Sequence, residues 1–266
     1  YSRALPYLVD RSPRVYRLAL DLIAHSHGHV DVAVLRAYIA AYQTVKPLQL
    51  GELWAIPIML RLALIENLRR VIAAVSAGRR DREAAARWSD ALLEGAAGDP
   101  SKVVATLAKL TGENPPLDTP FVAELASRLQ GQGAIATLPM AWLEQRLENE
   151  GKSVEGVFQS AIQSQASDQI SVGNSITSLR TLDAIDWRTF VEGLAVVETV
   201  LRDDPAKVYA TMEFATRDRY RHVVETIARR SPLGEEAVAE AAVNLARAGS
   251  ERRAHVGYYL VDAGRD

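Results

Sequence analysis

The chain of 266 residues contains no cysteine. Disulfides, thiolate nucleophiles and cysteine-type zinc sites are therefore excluded, and a reducing compartment is permitted. Net charge is almost absent as well. The 31 basic and 33 acidic residues leave −2, which offers no general electrostatic pull toward nucleic acid or an anionic membrane. Lysine is sparse, at Lys46, Lys102, Lys109, Lys152 and Lys207, so most of the positive charge is arginine. Arginine suits buried or bidentate pairing, although a GC-rich genome produces the same bias. Nothing resembles a Gly-rich phosphate loop, a nucleophile elbow or a His-Glu zinc helix, and no repeat of fixed period emerges.

Long uninterrupted apolar runs are missing too. The best candidate, "GELWAIPIMLRLALIENLRR" (51–70), meets Glu52, Arg61, Glu66, Arg69 and Arg70, whereas a membrane helix needs about 20 predominantly apolar residues. No membrane span is expected. Strand-like alternation is also rare. "HVDVAVL" is the clearest instance, and it sits more easily at the start of a helix.

What is present is helical patterning. With 48% hydrophobic and 24% charged residues, the composition is that of an ordinary globular protein. A capping residue just before proline marks candidate helix starts at Ser12-Pro13, Asp99-Pro100, Thr119-Pro120 and Asp204-Pro205. In "PRVYRLALDLIAHS", Val15, Leu18, Leu22 and Ile23 share a face. "DWRTFVEGLAVVETVLRDD", "DRYRHVVETIARR" and "GEEAVAEAAVNLARAG" repeat the pattern. The fold class expected is all-α, a multi-helix bundle of roughly ten helices with no substantial β-sheet. A single domain is expected over 1–266. The Gly/Pro clusters "EGAAGDP", "TGENPPLD" and "QGQGA" mark 78–136 as a peripheral helical subdomain. The chain opens at Tyr1 without methionine or signal peptide and closes on "DAGRD", which reads as a segment of something longer.

On a helical wheel of 51–70, Leu53, Pro57, Leu60, Leu64, Leu68 and Val71 form one stripe. Trp54, Ile58 and Ile65 extend it round a second side, and Glu52, Glu66 and Arg70 lie opposite. Such a helix is expected at the centre, wrapped on nearly all sides, with Pro57 ending or bending it near its start. Arg61 falls on the Trp54 and Ile65 side and is expected inside. It serves there either as a buried ion pair or carbonyl clamp, or as a ligand contact at the floor of a cleft.

Three further constellations carry chemistry. "HSHGHVD" sets His25, His27, His29 and Asp31 within seven positions; no further ligand cluster completes a metal site, and Gly28 argues for a helix stop instead. In "SVGNSITSLRTLDAIDWRTF", Asn174 and its hydroxyl neighbours suit a sugar or a facing helix. Arg180, Asp183 and Asp186 lie at spacing three, and Trp187 offers an aromatic face. A carboxylate pair beside tryptophan is what carbohydrate chemistry uses. The same residues also read as an Asp186 N-cap and a local Arg180–Asp183 pair. "FATRDRYRHVV" gathers Arg217, Arg219, Arg221 and His222 around Tyr220. It fits a phosphate-binding patch or, with Asp218 and Glu225 close by, a salt-bridged helix surface. The run with Tyr258 and Tyr259 near the end suits docking on a neighbouring domain or an approach to a membrane interface.

"LQLGELWAIPIMLRLALIENLRR", "SVGNSITSLRTLDAIDWRTFVE", "FATRDRYRHVVETIARRS" and "RRAHVGYYL" together resemble the region ahead of the glycosyltransferase domain in bacterial cyclic β-1,2-glucan synthases. The likeness runs from about Ser12 to Gly264 and is weakest across 78–136. It implies a parent of large size in the inner membrane that polymerises glucose from UDP-glucose and carries glycosyltransferase and phosphorylase-like domains. Those domains are the implied partners, with β-1,2-glucan a further one, and the implied place is the cytoplasmic face of that membrane. The transferase motifs are absent here, so no catalytic residue transfers and neither cofactor nor metal is expected in this segment. The function expected is a non-catalytic helical module that braces or regulates the transferase. The alternatives are a glucan-processing or glucan-binding domain using Asp183 and Asp186 with Glu52 and Arg61, or a protein-interaction module.

Overall fold

The computed structural model describes residues 5–8, 12–96 and 100–264. Among them are twelve α-helices and no strand, so the all-α expectation holds. They are α1 (Arg14–His25), α2 (Val32–Gln43), α3 (Leu50–Ala96), α4 (Pro100–Glu113), α5 (Thr119–Leu129) and α6 (Thr137–Asn149). After these come α7 (Val154–Ala184), α8 (Trp187–Glu192), α9 (Val196–Leu201), α10 (Phe214–Ala228), α11 (Glu235–Ala248) and α12 (Val256–Val261). Short 3₁₀ turns at Gly133–Ala136, Tyr209–Thr211 and Glu251–Ala254 join some of them. None of the described helices is long and apolar enough to cross a membrane.

The helices gather into two compact units. One comprises residues up to Ile65 and from Asn174 onward, the other Glu66–Gly173. Each has its own apolar core. In the first, the face read from α1 is buried as expected at Val15, Leu18, Leu22 and Ile23, against Leu35 and Ile39 of α2 and Leu53, Leu60 and Leu64 of α3. Full burial of each leucine contributes about 1.5–3 kcal/mol. α11 lies against α9, α10 and α12. Its buried face carries Ala239, Ala242 and Ala246, side chains small enough to let neighbouring helices approach closely. The second core joins Leu92, Leu110, Val122, Leu125, Leu143 and Leu147.

Several local expectations are corrected. Pro57 does not end α3, which is helical for seven residues before it. The ring forfeits one intrahelical hydrogen bond, but buried Leu53, Ile56 and Leu60 on either side hold the helix in place. The wheel was right for the Leu53–Leu60–Leu64 stripe and wrong for its extension. Ile58 and Ile65 are 56% and 55% exposed, because at 100° per residue they stand about 160° and 140° from Leu60. "DWRTFVEGLAVVETVLRDD" is two short helices, α8 and α9, parted at 193–195. Asp204-Pro205 opens no helix: the chain turns there and reaches the 3₁₀ turn at Tyr209–Thr211. At Thr119-Pro120 the N-cap position is Asp118, and before α1 it is Pro13. Asp99 lies outside the described residues. "HSHGHVD" is the stop that Gly28 suggested. His27 takes a left-handed φ of +48°, and the Gly28 N–H donates back to Ile23 O at 2.9 Å, as in a Schellman termination. Asp31 then caps α2 by accepting from Val34 N.

Candidate functional site

The unit holding both chain ends contains a buried ion-pair centre. Glu198 lies on the inward face of α9, between Val197 and Leu201. Its Oε2 accepts from Arg221 Nη1 at 2.5 Å and from Tyr209 OH at 2.7 Å. Its Oε1 accepts from Arg202 Nε at 2.8 Å. Glu192, at the end of α8, takes a bidentate pair from Arg217 at 2.9 and 2.8 Å and a further bond from Arg221 at 2.7 Å. Arg221 also reaches Asp218 at 3.2 Å and stacks over Phe214 at 5.1 Å. Spacing four on α10 puts Arg217 and Arg221 on one face. Their planar forks match carboxylates.

Electrostatics fixes the protonation of this centre. Burial pushes the Glu192 carboxyl upward, yet the hydrogen bonds from Arg217 and Arg221 outweigh it and hold the group below the usual carboxylate range. Burial, with the Glu198 charge and hydrogen bond beside it, pushes the Tyr209 phenol far up, so Tyr209 stays a donor. A centre in which both oxygens of Glu192 and of Glu198 accept hydrogen bonds ties α8, α9 and α10 together.

Asp204 makes the adjoining staple. It accepts from Val208 N, Tyr209 N and Val256 N at 3.1, 3.2 and 3.0 Å, and its Oδ2 lies 2.8 Å from His255 Nδ1. His255 Nε2 in turn stands 3.4 Å from Tyr220 OH. Gly257 gives this pair room, since a Cβ would come within 2.4 Å of that hydroxyl and 2.6 Å of the imidazole and force one of them to shift. α12 packs inward through Val256 and Leu260, while Tyr258 and Tyr259 meet edge to face at 5.1 Å.

A second buried centre opens α3. Arg14 Nε donates to Glu52 Oε1 at 2.9 Å and Arg14 Nη2 to Glu52 Oε2. Glu52 also accepts from Gln49 N at 2.9 Å, the backward reach of a capping box. Beside it the Leu50 N–H donates to Glu235 Oε2 at 2.8 Å. Burial, opposed by that bond and aided by Glu225 and Glu52, raises the Glu235 carboxyl from 4.5 to about 7. A raised carboxylate pKa means that the unfolded chain ionises first. Stability from this group is full below about 4.5 and is lost as pH rises to about 7, by roughly 3 kcal/mol. Glu235→Gln, which keeps the acceptor and removes the titration, is therefore expected to melt with the parent at pH 4.5 and several degrees above it at pH 8. Parallel shifts at both values would exclude the mechanism.

The residues singled out from sequence are distributed as follows. Glu52 is sealed with Arg14. Arg61 is not locked inside: its side chain is 36% exposed and pairs with Asp183, itself 73% exposed, at 2.6 Å, with a second bond to Pro57 O at 3.2 Å. It sits toward the α7 edge of α3, where a surface carboxylate meets it. Trp54 is half-buried against the first core. Glu66 pairs on the surface with Arg69 at 2.6 Å. Asn174 donates to His27 O at 3.2 Å. Asp183 goes to Arg61 rather than to exposed Arg180. Asp186 caps α8, accepting from Arg188 N, Thr189 N and Thr189 Oγ1 at 3.1, 3.3 and 2.6 Å; the Thr189 bonds hold its carboxyl below the usual range. Trp187 Nε1 donates to Leu182 O at 2.9 Å, and its ring meets Phe190 edge-on at 5.2 Å. "FATRDRYRHVV" is salt-bridged and two-faced: Tyr220 and Arg221 are buried, while Arg219 and His222 are exposed. None of these residues enters the shallow cleft of about 300 Å³ between α9 and α11, which is lined by Val200, Asp203, Glu240, Val243, Asn244 and Arg247. No group of three or more histidine and acidic side chains among the described residues is arranged to hold a metal.

Glu198 and Arg14 could have been found from sequence, since each occupies an apolar stripe where a lone charge demands a partner. Asp204 could not, because four of its contacts come from residues four to fifty-two positions on.

No protein-family model matches the chain. Over 233 residues, 88% of its length, it is 33% identical to the cyclic beta-(1,2)-glucan synthase NdvB of Rhizobium meliloti (strain 1021). The chain spans 8% of that protein. The resemblance carried by the four stretches is thereby borne out, as a likeness to one segment of such a synthase.

Proposed function

We propose, from this likeness to a segment of a cyclic β-(1,2)-glucan synthase, that the chain is a helical module of a polypeptide of that kind. In this reading it lies ahead of the glycosyltransferase domain on the cytoplasmic face of the inner membrane. It braces or regulates that domain while glucose from UDP-glucose is polymerised elsewhere, and it needs no cofactor of its own. Its partners are then the transferase and phosphorylase-like domains of the same polypeptide, with the glucan a further contact.

The observation that carries the reading is the similarity across 88% of the chain. The state of the acidic side chains supports it: Asp186 is spent on a cap, Asp183 on a surface pair and Glu52 on a buried one. Asparagine caps as well as aspartate, and alanine does not. In the longer polypeptide, Asp183→Asn and Asp186→Asn should therefore leave glucan synthesis within about twofold of the parent, a change of less than about 0.5 kcal/mol in barrier. Asp186→Ala should lower the melting temperature without affecting turnover per folded molecule. Loss of synthesis in either asparagine variant at an unchanged melting temperature would favour the glucan-processing alternative instead.

A further inference from the structure

We propose that the cleft between α9 and α11 binds a neutral, hydroxyl-rich ligand, the pyranose units of an oligosaccharide. The cleft lies within the unit that holds both chain ends. It encloses about 300 Å³ between Val200, Asp203, Glu240, Val243, Asn244 and Arg247, the lower end of the range that small-molecule sites occupy. Glu240, Val243, Asn244 and Arg247 recur at helical spacing on α11, which puts them on one face. Val200 and Asp203 close the other side from the end of α9. Both walls are fixed before any ligand arrives. α9 is held from inside by Glu198 and Leu201. Next to Asp203, the Asp204 carboxylate gathers the N–H groups of Val208, Tyr209 and Val256. Little ordering is then needed on binding.

The chemistry of the lining selects the ligand. Among the described residues, the side chains of Asp203 and Glu240 have neither hydrogen bond nor ion pair. Arg247 faces the same space, yet it turns to Asn244 on its own helix and donates to Oδ1 at 3.3 Å. The cleft therefore offers two open carboxylates as acceptors. Its donors are the Asn244 amide N–H groups and the remaining N–H groups of the guanidinium. A cation would use the carboxylates alone and be repelled by Arg247. An anion would use the donors alone and be repelled by Asp203 and Glu240. A hydroxyl both donates and accepts, so adjacent hydroxyls on one ring match a lining of both kinds. Val200 and the buried Val243 supply an apolar patch for the C–H face of a pyranose. No aromatic ring joins this lining, and binding is expected to be weak, with Kd on the order of 1 mM. That the oligosaccharide is a β-1,2-glucan rests on the functional reading above; that it is a sugar rests on the cleft.

NMR titration of the 266-residue chain tests the site, with linear β-1,2-linked gluco-oligosaccharides, linear β-1,4-linked ones, spermidine and inorganic phosphate as probes. Saturable shifts are expected with sugar at the Asn244 side-chain amide, at Arg247 Nε–H and at the methyls of Val200 and Val243. The β-1,2-linked series should bind the tighter, and neither spermidine nor phosphate should saturate the same signals. Asp203→Ala and Glu240→Ala should each weaken sugar binding at least about tenfold, equivalent to about 1.4 kcal/mol. Their melting temperatures should not change, since both side chains are exposed. Glu240→Gln keeps an acceptor and should stay within about threefold of the parent. Glu236→Ala, exposed on α11 outside the cleft, should bind as the parent does. Absence of saturable sugar shifts at these signals would overturn the proposal and leave the bracing role standing. Tighter binding of spermidine or phosphate there would overturn it too, as would sugar binding that survives both alanine substitutions. Binding of the β-1,4-linked series alone would uphold the sugar site and count against the synthase reading.

Discussion

Arg221→Met is expected to destabilise the unit that contains it by about 3–5 kcal/mol, the cost of removing one partner from a buried ion pair. For a unit of this size that corresponds to a fall in melting temperature of about 10 °C. The loss exceeds that of a single hydrogen bond because Arg221 serves Glu198, Glu192 and Asp218 together. Its removal leaves the Glu198 carboxylate, almost fully buried, with Arg202, with Arg217 at 3.4 Å and with the buried Tyr209 hydroxyl. Two units with separate cores need not melt together, so the readout must be local. Trp54 and Trp187 belong to the affected unit, and Trp88 and Trp142 to the other, so fluorescence from chains keeping one pair separates the two transitions. The deficit is expected to depend on pH with a definite sign. A carboxylate with a lowered folded pKa, such as Glu192, contributes stability above its unfolded value of 4.5 and loses it as pH falls. The gap between parent and variant should thus be full at neutral pH and narrow in acid. Adding Glu198→Leu should restore part of the loss, since an apolar pair of similar volume replaces ions that would otherwise lack compensation. A deficit below about 1 kcal/mol would show that the centre is hydrated rather than sealed.

Much of this architecture is legible along the chain, and the failures share one cause. Helix type, the buried face of α1, the stop at Gly28 and the cap at Asp186 are local events, decided within one or two turns by spacing and capping chemistry. What the wheel cannot decide is which apolar residues find a partner. Ile58 and Leu60 look alike in sequence, but only Leu60 faces a neighbouring helix. Arg61 and Arg14 both adjoin apolar stripes. Arg14 is inside because Glu52 arrives from 38 residues on. Arg61 is outside because the carboxylate that meets it, Asp183, lies on the surface of a helix 122 residues away. The charge run in "FATRDRYRHVV" fits a phosphate-binding patch or a salt-bridged surface on paper, because its local counter-ions suffice. Glu192 and Glu198, from α8 and α9, draw the face with Arg217 and Arg221 inward. Tertiary pairing of charges is invisible to periodicity, and that is where the candidate site lies.

The second large effect is expected from Arg14→Met, again about 3–5 kcal/mol at neutral pH, with a pH dependence of the same direction. Glu52 is wholly buried, and the arginine is its countercharge; the hydrogen bond that Arg14 donates to Glu52 in turn raises the Arg14 pKa. Without the guanidinium, the Gln49 N–H is too little to hold a bare carboxylate in the core, and the group answers by binding a proton. A carboxyl with a raised folded pKa costs no stability while both states are protonated and destabilises the fold as pH climbs through the unfolded value toward the folded one. The variant should therefore approach the parent near pH 4 and fall behind it progressively toward pH 8, the same direction as at Arg221 but from a different cause, the uncompensated carboxyl left in the variant. Arg14→Met combined with Glu52→Gln should recover most of the loss, because glutamine keeps an acceptor for the Gln49 N–H and carries no charge. Glu52→Gln alone should also bring the Glu235 carboxyl down from about 7, since the Glu52 charge is among the causes that raise it, and NMR titration of the Glu235 side-chain carbon reads that directly. Equal deficits for Arg14→Met at pH 4.5 and pH 8 would mean that Arg14 acts through its guanidinium over the Tyr42 ring, 5.8 Å from the centroid, and not through its pairing with Glu52.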